Sequence, residues 1–270
     1  MSSAPSDTPP DPQPSALPPS VDTAHHEPNH SDATATSASS HKVKPARKPL
    51  LRLELRDLSN DGTRAFLRLV HASNVLEDAV DTVLKHLYTG LDTHCIPPTR
   101  SVTLILRSMQ GVAYTTGSDL DSDHKEIHLS LDYINHVPDA RKKEEIQGVI
   151  VHEMVHCWQQ NALGTAPGGL IEGIADWVRL KSGFAPPHWK RTADSKWDAG
   201  YERTGFFLEW LEAKHGEDIV RRINEGLRDC KYIDDEFWHK CCGKSVAHLW
   251  EDYKSSLGDG KGGQGACGEA

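Results

Sequence analysis

Residues 146–160 read IQGVIVHEMVHCWQQ, and they decide how the rest of the chain is understood. Val149, Ile150, Val151 and Val155 place apolar side chains on almost every side of a helix, so a buried helix beginning near Arg141 is expected. His152 and His156 are four residues apart and stand one turn above each other, presenting both imidazoles on one side. Two neutral imidazoles at this spacing suit a tetrahedral zinc ion, and the adjacent Glu153 is placed to act as a general base. Paired histidines and a carboxylate inside a buried helix need a partner, because isolated polar groups there are costly. A metal ion would be one.

The pentapeptide is not decisive alone. In a chain with 16 histidines, shuffling would produce it somewhere with a chance of roughly 5%. Core histidines bonded to carbonyls are the competing reading, so a third ligand must decide. A third histidine on the same helix is excluded for the metzincin spacing, since Gln159 and Ala162 occupy the Gly and His positions of that pattern. The next block, GGLIEGIADWVRL at 168–180, is a second helical pattern opened by Pro167 and closed by Gly183 and Pro186-Pro187. Glu172 and Asp176 lie one turn apart on it. The arrangement resembles that of thermolysin-like gluzincins, which implies Glu172 as the third ligand and Asp176 as the hydrogen-bond partner that orients His152. Asp176 as the third ligand is the alternative.

Farther out, Leu51, Leu53 and Leu55 alternate with charged residues, a strand pattern. Residues 62–88 carry apolar positions at helical spacing up to Gly90, and 101–107 (SVTLILR) read as a second strand. Residues 126–133 (EIHLSLDY) alternate cleanly, with Ile127, Leu129, Leu131 and Tyr133 on one face. From about 140 onward the pattern is helical almost throughout. Strands first and helices second give an α+β class, with an α/β N-terminal half leaning on a helical C-terminal half. Residues 1–48, dominated by Ser, Pro, Ala, Thr, Asp and His, are expected as a disordered tail, and 258–270 as a Gly-rich disordered tail. That leaves 49–257 as one folded domain.

The net charge of −9 argues against a nucleic-acid binder, and no run of eighteen apolar residues exists to span a membrane. The first twenty residues have neither a basic nor an apolar signal region, which makes the cytoplasm the default expectation. No pair of the six cysteines has zinc-knuckle or redox spacing, so they read as small buried hydrophobes. A bridge from Cys230 to Cys241 or Cys242 is the alternative for an exported chain. Cys157 neighbours His156 but points about 100° around the helix, away from the site.

The blocks VIVHEMVHCWQ (149–159), GTAPGGLIEGIADWVRLKSGFAPPHW (164–189), WDAGYERTGFFLEWLE (197–212) and GKSVAHLWEDYK (243–254) resemble those of the plant basic secretory protein peptidases and their fungal and bacterial relatives. The resemblance implies a zincin-like fold with one catalytic zinc, peptide or protein substrates, and hydrolysis of peptide bonds. It also suggests secretion, although this chain is acidic. A non-catalytic zincin-fold protein binding peptides or glycans is the rival reading, against which the intact Glu153 speaks. A donor for the oxyanion is still required, with Tyr201 as the first candidate and His188 as the second. The strand at 126–133 resembles the edge strand that zincins offer to extended peptides. Trp197, Phe206, Phe207, Trp210, Trp238 and Trp250 are expected in the core.

Overall fold

The computed structural model describes residues 48–259. The expected tails lie outside these residues but for Lys48, Gly258 and Asp259 at their edges. Strand β1 (Leu50–Leu55) is followed by helices α1 (Asp61–Leu69) and α2 (Ala72–Tyr88). Next come β2 (Ser101–Arg107), a hairpin of β3 (Ala113–Ser118) and β4 (Asp121–Ser130), and the short helix α3 (Leu131–His136). Helices α4 (Lys142–His156), α5 (Gly168–Lys181), α6 (Tyr201–His215), α7 (Ile219–Gly226), α8 (Asp234–Cys242) and α9 (Val246–Asp259) complete the chain. The class is α+β, as expected. No described helix is long and apolar enough to cross a membrane.

The four strands lie in the order β1-β2-β4-β3. The pairs β1–β2 and β2–β4 are parallel, and β3 runs antiparallel to β4. Leu53, Leu104 and Ile127 are in register across the first three strands and, with Thr115 of β3 opposite Ile127, define the inner face. Helices α2 and α4 pack in this layer. On β1 the alternate residues Leu50, Arg52 and Glu54 stay exposed, the pattern of a sheet with one face toward water. Helix α4 also touches α1, α2 and α5. Enclosed by elements on several sides, it buries Ile146, Val149, Ile150, Val151, Met154 and Val155.

Three expectations need correction. The helical pattern over 62–88 is two helices, because Val70 turns to an extended conformation (φ −127°, ψ 131°). The break lets α1 pack on α3 while α2 packs on α4, which a single straight rod could not do. The strand expected at 126–133 ends at Ser130, whose hydroxyl accepts the backbone N–H of Tyr133 at 3.2 Å and caps α3. Leu131 is as buried as Ile127 and Leu129, so the alternation runs on past the strand and hides its end. Nor is this strand an edge: β4 lies between β2 and β3, and β3 is the edge strand on that side, opposite the β1 edge.

Around Phe207, the rings of Trp210, Trp238, Trp250 and Tyr253 pack at centroid distances of 5.2–6.2 Å. The expected aromatic core is thus present, with Trp197 and Trp210 only partly buried. The five described cysteines are all unbridged.

Candidate metal centre

Helix α4 carries His152 and His156 to the interface with α5, where their Nε2 atoms lie 3.3 Å apart. Glu172 on α5 directs Oε2 to the same point, 3.1 Å from His152 Nε2 and 3.7 Å from His156 Nε2. The three side chains form the only group among the described residues able to hold a metal ion, with ligand atoms within 4.8 Å of one another. A tetrahedral ion with bonds of about 2.0–2.1 Å holds its ligand atoms about 3.3 Å apart. The observed spacing fits.

The outer nitrogens fix both rings. His152 Nδ1 donates to Asp176 Oδ1 at 2.6 Å, and His156 Nδ1 donates to Gln159 Oε1 at 2.9 Å. With Nδ1 committed as donor, Nε2 is the nitrogen that offers a lone pair to a metal once its own proton leaves. Gln159 in turn donates its amide to Ile171 O on α5 at 2.8 Å, which ties the end of α4 to the helix bearing Glu172. Sequence reasoning misses this role of Gln159. Only its proximity to His156 in a helical pattern could have suggested it.

Electrostatics support the same picture. Burial works against charge on His152, but Asp176 and Glu172 outweigh it and raise its pKa to about 10. Burial likewise opposes charge on His156 and is outweighed by Glu172, so its pKa is also raised. For Glu172, burial is overcome by the two imidazoles, which hold its carboxyl well below the usual range. Without an ion, protons on the imidazoles balance the carboxylates. A divalent cation can take their place and release them.

Glu153 is 3% exposed. The Thr115 hydroxyl on β3 donates to its Oε2 at 2.7 Å, so the edge strand orients the carboxylate. Sequence reasoning misses Thr115 too, because β3 (AYTTGS) lacks the apolar alternation that marks a strand. Tyr201 opens α6 at φ 47°, and its ring stacks on His152 at 6.4 Å between centroids. Burial first, then the charges of Glu172, Asp176 and Glu153, push its phenol up. It therefore stays a protonated donor. Close packing of α6 on α5 brings it here: a Cβ on Gly173 would meet Thr204 Cγ2 at 2.3 Å, so only glycine permits this approach. His188 is exposed and lines the same cleft of about 490 Å³ as His152, Glu153 and Tyr201.

The sequence-predicted residues His152, Glu153, His156, Glu172, Asp176 and Tyr201 thus meet at one place. Asp176 bonds the far side of His152 and is not one of the three clustered ligands. Fold and site together define an α+β protein with a candidate metal centre held between two buried helices. The chain belongs to the BSP family, described as peptidase of plants and bacteria, whose family model matches residues 48–253. No curated protein and no solved structure matches it.

Proposed function

We propose that the chain is a zinc-dependent peptidase that hydrolyses peptide bonds with Glu153 as general base. The observation that carries this reading is the convergence of two imidazole nitrogens and one carboxylate oxygen beside Glu153 on the same buried helix. Three protein ligands of this kind are the pattern of catalytic zinc, whereas structural zinc usually takes four, often cysteines. When bound, zinc supplies Lewis acidity toward the scissile carbonyl and acidifies water. His152, His156 and Glu172 are the residues that would hold it.

The chain's own residues supply the remainder. Glu153, fixed by Thr115, takes the proton of the attacking water and returns it to the leaving amine. Tyr201, kept protonated over His152, donates to the developing oxyanion. The outer edge of β3 offers backbone groups to an extended peptide, which gives affinity with little sequence selectivity. In this reading β3 takes the docking role expected of 126–133.

The test pairs metal analysis with a peptide-library digest of wild type and Glu153→Gln. About one zinc per chain is expected in both, with cleavage by the variant reduced about 10²–10⁴-fold. Equal cleavage by the two proteins sinks the assignment of the base. Absence of zinc after gentle purification sinks the site.

A further inference from the structure

The cleft does not stop at the metal ligands. Arg141, which caps the start of α4, and Glu145, Val149 and His152 on one stripe of α4 all line it. At its floor Glu145 Oε1 accepts from the Tyr133 hydroxyl at 2.7 Å and from Arg179 Nη2 at 2.7 Å. Arg179 Nε donates to Phe184 O at 3.1 Å, and the guanidinium lies 5.2 Å from the Trp189 ring centroid. Gly148 makes room for this, since a Cβ there would meet Arg179 Nε at 2.7 Å. Glu145 and Arg179 are therefore committed to each other. Arg141 is not: it is half-buried, lines the cleft, and has no side-chain partner among the described residues.

The remaining charges give the cleft a direction. Glu202 follows Tyr201, which stacks on His152, while Arg141 precedes α4, eleven residues before His152, and both line the cleft. His136 lies near Arg141 in sequence and engages the Asp132 carbonyl through Nδ1 at 2.6 Å, and His188 is exposed. Val112, just before β3, also lines the cleft, and Thr115 of β3 touches Glu153. A peptide paired antiparallel to β3 would carry its C-terminal, leaving-group part from Glu153 past Val112 toward Arg141. We propose that Arg141 selects substrates bearing a carboxylate on that side, as a C-terminus or as an Asp or Glu side chain. This rests on the peptidase reading above. Eleven residues of helix from Arg141 to His152 span about 16 Å. At about 3.3 Å per extended residue, and allowing for the arginine's reach, the carboxylate falls roughly three to five residues past the scissile bond.

The experiment uses zinc-loaded full-length protein and peptides taken from the library digest. Each is varied at those positions as Glu against Gln, and as chains ending there in a free acid against an amide. Wild type should favour the carboxylate form about tenfold in kcat/KM, chiefly through KM. Arg141→Gln should bring that ratio to about one, and Arg141→Lys should keep part of it. Preference for the free acid at one length identifies the C-terminus as the ligand. Preference for Glu regardless of the chain end identifies a side chain. A ratio near one in wild type, or an unchanged ratio in Arg141→Gln, overturns the inference even where cleavage upholds the peptidase. If nothing is cleaved, the peptidase reading fails, and tryptophan fluorescence titrations with the same peptide pairs decide the inference by binding. Equal affinity for acid and amide would then refute it.

Discussion

Two polar clusters are buried between the same pair of helices, and they have opposite characters. Near the C-terminal end of α4, two imidazoles face the Glu172 and Asp176 carboxylates. About two turns earlier, one carboxylate, Glu145, meets one guanidinium, Arg179, at 2.7 Å, with side-chain exposures of only 11% and 7%. The second cluster is complete: arginine is always charged, its fork matches a carboxylate, and no ion is needed. The first is complete only when protons or a cation occupy the imidazoles, because an imidazole, unlike a guanidinium, can exchange its proton for a metal ion. The same helix pair therefore holds a clamp and a binding site, and the difference lies in which cation the sequence supplies.

The largest expected effects come from removing one partner in each cluster. Glu172→Ala should lose the metal, taking zinc from about one per chain to none by metal analysis and abolishing cleavage. Retention of full zinc would remove Glu172 from the ligand set. Arg179→Met should leave the metal ligands in place but strand Glu145 in the interior, at a cost of about 3–5 kcal/mol in urea unfolding. The double variant Glu145→Leu/Arg179→Met should recover most of that loss, since two apolar groups replace a desolvated pair. If the double variant is as unstable as the single, the pair does more than neutralise itself, and the contrast with the metal cluster weakens.

How much of this is legible in the sequence depends on distance along the chain. His152 and His156 are one turn apart on one helix, and Glu172 and Asp176 are one turn apart on the next, so helical spacing alone places each pair on one face. The apolar run around Val149–Val155 announces that α4 is buried. Contacts that join separate elements are not legible from spacing: only the resemblance to gluzincins pairs α5 with α4, as His152–Asp176 then shows. Thr115 reaches Glu153 only because the hairpin of β3 folds over α4, and nothing in AYTTGS signals that pairing. The strand end at Ser130 is hidden because burial continues unbroken into α3. Likewise, the α1–α2 break at Val70 answers to what each helix packs against, not to any proline or glycine at the break.

The smallest of the expected effects is the most discriminating. Asp176 bonds the side of His152 opposite the cluster, so Asp176→Asn keeps a hydrogen-bond acceptor there while removing the charge. Zinc affinity should fall about 10–100-fold, with stoichiometry at saturation unchanged, as expected for a group that orients a ligand without being one. Competition with a chelator of known affinity measures the shift. Complete loss of binding would make Asp176 a ligand and exchange its role with that of Glu172. No shift at all would mean that packing of the His152 ring, 3% exposed, already fixes its orientation. In that case the metal cluster would resemble the Glu145–Arg179 clamp, held by the fold and not tuned by the charge behind it.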